Sequence, residues 1–134
     1  MTLGMKKKIL SWLWVILWLS VIYWFSNQPD LKSELQYFWD LIFRKIAHMA
    51  EYFVLCFLFY KAINNYKLEF KKVIIVSLIL TLIAAGLDEF HQYFTRGRSA
   101  SAIDVIIDGI GSLILIVILL KSRYESLFNK QILP

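Results

Sequence analysis

Apolar residues along this chain gather in four long runs, Ile9–Phe25, Ile46–Tyr60, Val73–Leu87 and Ile103–Leu120. A helix rises ~1.5 Å per residue, and the hydrocarbon core of a bilayer is ~30 Å thick. The first and fourth runs come near that span, whereas the second and third fall short by roughly five residues each. Extending the second back through Arg44, and the third on through Gln92 to Phe94, makes both long enough. Charged residues must then enter the membrane-level part of those helices. The pattern predicts helices over 9–25, 44–61, 72–94 and 102–121, an all-α bundle of four transmembrane helices within one domain, 1–134. Breakers agree with the partition. Ser26-Asn27-Gln28-Pro29-Asp30 closes the first helix, Asn64-Asn65-Tyr66-Lys67 turns the second into the third, and Thr95-Arg96-Gly97-Arg98-Ser99 separates the third from the fourth. There is no internal repeat, low-complexity tract or linker.

Composition strengthens the membrane reading. Of the 134 residues, 59% are hydrophobic and 19% charged, more apolar surface than a soluble domain of this size can hide. The net charge of +5 forms no patch with interleaved aromatics, which argues against nucleic acid as a partner. Cys56 is the sole cysteine, so no internal disulfide or thiolate cluster can form, and between Leu55 and Phe57 it reads as a small apolar filler. Lys6, Lys7 and Lys8 before an apolar run imitate a signal peptide. However, the run is long and rich in Trp, and no small-residue cleavage site follows, so a retained first helix is expected.

Charge asymmetry sets an expected orientation. Lys6, Lys7, Lys8, Lys61, Lys67, Lys71, Lys72, Lys121, Arg123 and Lys130 fall on one side of the bundle. Lys32, Arg44, Lys45, Arg96 and Arg98 fall on the other. The richer side is expected to be cytoplasmic, which puts both termini inside and the two polar junctions outside. Among the acidic residues only Glu69 and Glu125 lie on the inner side. Trp12, Trp14, Trp18, Trp24 and Trp39 are accounted for by interfacial anchoring and lipid packing.

The remaining polar residues are the informative ones. On the second helix Arg44, His48 and Glu51 are spaced i, i+4, i+7, one stripe of a helix. On the third, Asp88 and Gln92 form an i, i+4 pair flanked by Glu89 and His91. On the fourth, Asp104, Asp108 and Gly111 repeat the i, i+4, i+7 spacing. Helical rise places Glu51, Asp88 and Asp108 at similar depths, each ~8–9 Å in from the outer rim. An acidic side chain at a helix centre costs ~2.5–3.5 kcal/mol on insertion scales, less toward the interface. Glu51, Asp88, Glu89, Asp104 and Asp108 are therefore expected to face one another across a wet cleft, with Arg44, His48 and Arg98 as counter-groups. The bland alternative is polar glue between helices, with Arg44–Asp104 or Arg98–Asp88 as staples. Intramembrane hydrogen bonds average only ~0.6 kcal/mol, a poor return for so many costly groups. Lys45 and His91, off the main stripes, are expected to be interfacial. Gly109 and Gly111 are expected to permit close helix approach.

The stretch from Tyr23 to Leu115 resembles the VanZ-like family of bacterial membrane proteins, named for a teicoplanin-resistance protein. Phe25-Ser26-Asn27-Gln28-Pro29 closes the first helix. Arg44-Lys45-Ile46-Ala47-His48-Met49-Ala50-Glu51-Tyr52 is similar to the family's K-x-x-H-x-x-x-Y, and Asp88-Glu89-Phe90-His91-Gln92 to its D-E-x-x-Q. Arg98 opens an R-x-x-S-x-x-D segment through Asp104 that runs on towards Gly111. One departure stands out: Asp108 occupies a position where the family usually has asparagine. The resemblance implies a multi-pass protein of the cell membrane and a link to lipoglycopeptide susceptibility. It implies no reaction.

Three functional readings remain open. In the first, the outward cleft binds a lipid-linked or cell-wall ligand, with Arg44 and Arg98 on phosphate, since the planar guanidinium grips phosphate oxygens bidentately. Gln92 and Asp108 join them as ligand-binding candidates, with the carboxylates on amines or sugar hydroxyls. In the second, His48, Glu51, Asp88, Glu89 and Asp104 are catalytic candidates for acid–base work at the outer leaflet. A divalent cation is the cofactor such a site could use, Mg²⁺ or Ca²⁺ sooner than Zn²⁺. No H-E-x-x-H, serine elbow or thiol nucleophile supports it. The third, an ion carrier, lacks a relay of acidic residues across the membrane. Membrane lipids are the expected surroundings, and the oligomeric state is not legible.

Overall fold

The computed structural model describes residues 2–27, 37–95 and 101–132. It contains four α-helices: α1 Leu3–Ser26, α2 Tyr37–Asn64, α3 Phe70–Gln92 and α4 Ala102–Ile132. Among the described residues there is no strand. All four helices carry segments long and apolar enough to cross a membrane: Leu3–Ser26, Ile42–Asn64, Phe70–Gln92 and Ala102–Asn129. Each of the first three, at 23 or 24 residues, is ~35 Å long, enough for the ~30 Å hydrocarbon core. The expectation of four transmembrane helices therefore holds.

The helix limits differ from the apolar runs for simple reasons. Lysine is a good helix former, so α1 begins at Leu3 and carries Lys6, Lys7 and Lys8 on its first turns. α4 likewise continues past the expected end to Ile132, because no Gly or Pro interrupts it. Its exposed extension is braced by Tyr124 stacked on Phe128, one turn apart. α3 stops at Gln92 instead of Phe94, where the Tyr93 and Phe94 amides donate back to Glu89 and His91 carbonyls.

The helices run up, down, up, down. Tyr23 near the end of α1 meets His91 near the end of α3, with ring centroids 4.7 Å apart. Lys45 near the start of α2 meets Asp104 near the start of α4. These contacts define one end of the bundle, the motif end. At the opposite end the Asn65 side-chain amide donates to Ser11 (2.8 Å), Trp12 to the Tyr66 hydroxyl (3.1 Å), and Lys8 lies over the Tyr66 ring.

α2 sits at the centre and packs on the other three helices. Its Tyr52, Leu55, Cys56, Phe59, Ala62 and Ile63 are buried, against Val15 and Ile22 of α1 and Val73 and Ala85 of α3. Cys56 is thus the core filler its neighbours suggested. Buried Ser77 and Thr81 return their hydroxyl protons to the carbonyls of Val73 and Ser77, one turn back on the same helix. Large apolar side chains elsewhere face outward, such as Leu13, Ile16, Ile79, Ile83, Val117 and Ile118, the surface a bilayer would cover. The tryptophans divide. Trp14, Trp24 and Trp39 are exposed, as lipid-facing anchors would be. Trp12 and Trp18 instead turn inward onto the core, and the Trp18 indole donates to the Glu51 carbonyl (2.9 Å).

Candidate functional site

At the motif end α2 and α4 approach very closely, and the cause is glycine. A Cβ on Gly111 would stand 2.9 Å from the Met49 carbonyl carbon and 3.1 Å from its Cα. Only a residue without a side chain allows that contact. Gly109 turns the other way, where a Cβ would meet Leu82 of α3 at 3.2 Å. Both glycines therefore have the packing role expected of them.

This close approach seats His48 of α2 beside α4. Its Nδ1 lies 3.8 Å from Asp108 Oδ1 and 3.7 Å from Glu51 Oε2, one turn further along its own helix. Both distances exceed hydrogen-bonding range, so the attraction is electrostatic. The Asp108 side chain is only 3% exposed, and its Oδ1 takes no hydrogen bond from any described residue. Glu51, Asp88, Glu89 and Asp104 all act on Asp108 electrostatically. Carboxylates from α2, α3 and α4 thus lie close enough to Asp108 to act on it.

On α3, the Gln92 side-chain amide donates to Asp88 Oδ2 at 2.8 Å, and Gln92 is buried. Glu89 faces the start of α4 and accepts from the Ser101 backbone N–H at 2.9 Å. Ser101 Oγ in turn accepts from the Ile103 N–H at 3.2 Å. Together they cap α4, with Glu89 supplying from another helix the negative charge that favours an N-terminus. Asp104, in the first turn of α4, does the same from within. Its carboxylate also pairs with Lys45 Nζ at 2.5 Å, both side chains about one-third exposed. Lys45, expected to be merely interfacial, is therefore a member of the cluster. Arg44 is half-buried one turn before His48. Arg98 lies outside the described residues.

Two further residues belong to the region. Tyr52, one turn beyond His48, is 1% exposed, and its hydroxyl faces the Asp88 carboxylate. Asp88, Asp108 and Glu51 all act on that hydroxyl. It was legible as the last residue of the K-x-x-H-x-x-x-Y pattern, on the same stripe as His48. His91, expected at the interface, instead has its Nε2 buried without a hydrogen bond among the described residues, beneath the Tyr23 ring. No group of three His, Cys, Asp or Glu side chains among the described residues is arranged to hold a metal ion. The donor set as placed does not fit the divalent cation that the catalytic reading could use.

Four membrane-crossing helices with an ionisable cluster inside one end define a small multi-pass membrane protein. The family model described as VanZ/LLP1 matches residues 9–123, and the chain belongs to that VanZ-like family. No curated protein and no solved structure matches the chain.

Proposed function

We propose that the motif end faces outward and forms a polar cleft for a lipid-linked or cell-envelope ligand, lowering susceptibility to teicoplanin-type glycopeptides. The observation that carries this reading is the convergence of Glu51, Asp88 and Asp108 from three helices around Tyr52 within membrane-spanning segments. Helix association alone gains little from such groups, whereas a ligand with amine or hydroxyl groups would use them. Arg44 and Lys45 at the rim supply cations for a phosphate, and arginine in particular matches its oxygens. The lysine-rich opposite end supports, by the positive-inside rule, an orientation with both termini in the cytoplasm.

A second reading, an enzyme at the outer leaflet, draws on His48 between Glu51 and Asp108, an arrangement suited to proton transfer. It differs from the first in requiring turnover: purified protein would change the mass of an envelope lipid or cell-wall precursor.

The test is an isosteric replacement. Asp88→Asn keeps the volume and an acceptor for Gln92 but loses the charge. His48→Gln removes the imidazole. Both variants are expected to stay folded in detergent while losing the effect on teicoplanin susceptibility in cells. Wild-type susceptibility in both would leave helix packing as the better account.

A further inference from the structure

A narrow slot of about 470 Å³ opens between α1 and α3, which barely touch each other and are held by α2 behind. Its long walls are apolar: Leu19 and Ile22 of α1, and Leu80, Ile83 and Ala84 of α3. From Leu80 to His91 the slot follows ~16 Å of helix, about half the ~30 Å hydrocarbon core. That is the depth of one leaflet. Its end at the motif side is polar, lined by Tyr52, Asp88 and His91. The Tyr52 hydroxyl is buried there against Asp88, and His91 Nε2 is buried without a hydrogen bond among the described residues. Buried polar groups are normally paired, so His91 Nε2 points to a partner that the protein itself does not supply.

We infer that this slot takes one hydrocarbon chain of a membrane phospholipid, with Tyr52, Asp88 and His91 holding a head that carries N–H donors. This names the ligand class for the binding function proposed above and rests on that reading. Chain and slot match in length and polarity. A second copy of the protein is a poor fit, since a helix is a cylinder ~10–12 Å across and the slot lies between two adjacent helices. The head chemistry follows from the charges. Asp88, with Glu51 and Asp108 close by, favours a primary ammonium, while the Tyr52 hydroxyl and the His91 nitrogen can donate to phosphate or ester oxygens. An ethanolamine phospholipid satisfies both ends. A choline phospholipid has the same chains and phosphate but no N–H.

The full-length protein would be reconstituted in bilayers with equal dioleoyl phosphatidylethanolamine and dioleoyl phosphatidylcholine, extracted in mild detergent, and weighed by native mass spectrometry. One lipid per chain is expected, with ethanolamine preferred over choline. Tyr52→Phe should lower retention of both lipids about fivefold, one hydrogen bond's worth, while Asp88→Asn should remove the ethanolamine preference. Ala84→Trp, which fills the slot, should reduce retention at least tenfold. In an otherwise wild-type chain, a benzophenone side chain at Leu87 should crosslink the retained lipid, and one at Val117, as exposed but on α4, should not. Equal crosslinking at both positions, or full retention in a folded Ala84→Trp variant, overturns the assignment. So does a dimer that Ala84→Trp dissolves, since a second copy would then fill the slot. Retained lipid combined with wild-type susceptibility in Asp88→Asn keeps the slot but removes the proposed function. No retained lipid, with susceptibility still lost in Asp88→Asn, removes the slot alone.

Discussion

His48 on α2 lies 3.8 Å from Asp108 on α4, and a side-chain-free Gly111 brings the two helices close enough for that pairing. A buried carboxylate is costly unless a counter-charge stands near it, and here the imidazole is the near group. Asp108 also stands where the family usually has asparagine. The two facts together predict that the two positions are coupled.

His48→Gln alone should cost ~1–2 kcal/mol, because it leaves Asp108 buried among carboxylates. Asp108→Asn alone should be neutral or stabilising and should keep the susceptibility effect. In the Asp108→Asn background, His48→Gln should cost almost nothing. Chemical denaturation in detergent micelles, run as a double-mutant cycle, reads the coupling directly. Additive costs would show that the two side chains do not interact.

Glycine supplies a second forecast. Gly111→Ala drives a methyl group into the Met49 backbone, which cannot rotate away, so a loss of ~1–3 kcal/mol is expected. Gly86→Ala is the control: it is exposed, within α3, and a Cβ there meets nothing within 4 Å. Helix propensity alone should stabilise that variant by ~1 kcal/mol. Thermal melts of the two variants should move in opposite directions.

Much of this was legible in the sequence, and the rest failed for identifiable reasons. The four spans follow from the apolar runs, and the i, i+4, i+7 spacing puts His48 and Glu51 on one face of α2, where His48 meets Asp108 of α4. Lys45 falls off the Arg44–His48–Glu51 stripe because it lies ~100° round the helix from Arg44. Its long side chain nevertheless reaches Asp104, as lysines near helix ends do. Glu89 adjoins Asp88 in sequence, but successive helical residues point apart, and its capping contact with the start of α4 leaves no sequence signal. The α1–α3 slot left no trace in the sequence. α1 is apolar all round, so no periodicity tells which of its faces turns inward.

Orientation can be tested with single cysteines after the buried Cys56 is replaced by Ser. Thr95, at the motif end, should be labelled on intact cells by a membrane-impermeant thiol reagent. Leu68, exposed in the turn between α2 and α3, should react only after the membrane is opened. The reverse pattern would move the whole cluster to the cytoplasm and exclude a ligand from the outer leaflet.

Glu89 offers the sharpest separation of structural from functional carboxylates. It is 7% exposed and accepts the Ser101 N–H at the start of α4. Glu89→Gln keeps an oxygen acceptor at that position and gives up only the charge, so it should cost under ~1 kcal/mol. Glu89→Ala leaves the Ser101 N–H without its acceptor and should cost ~1–2 kcal/mol, like the loss of a helix cap. If capping is its whole role, susceptibility will track stability: near wild type for the glutamine, weakened for the alanine. Asp88→Asn should behave differently, folding well yet losing the effect, because Asp88 faces Tyr52 and the slot. Loss of the effect in a fully stable Glu89→Gln protein would instead place the Glu89 charge among the groups that meet the ligand.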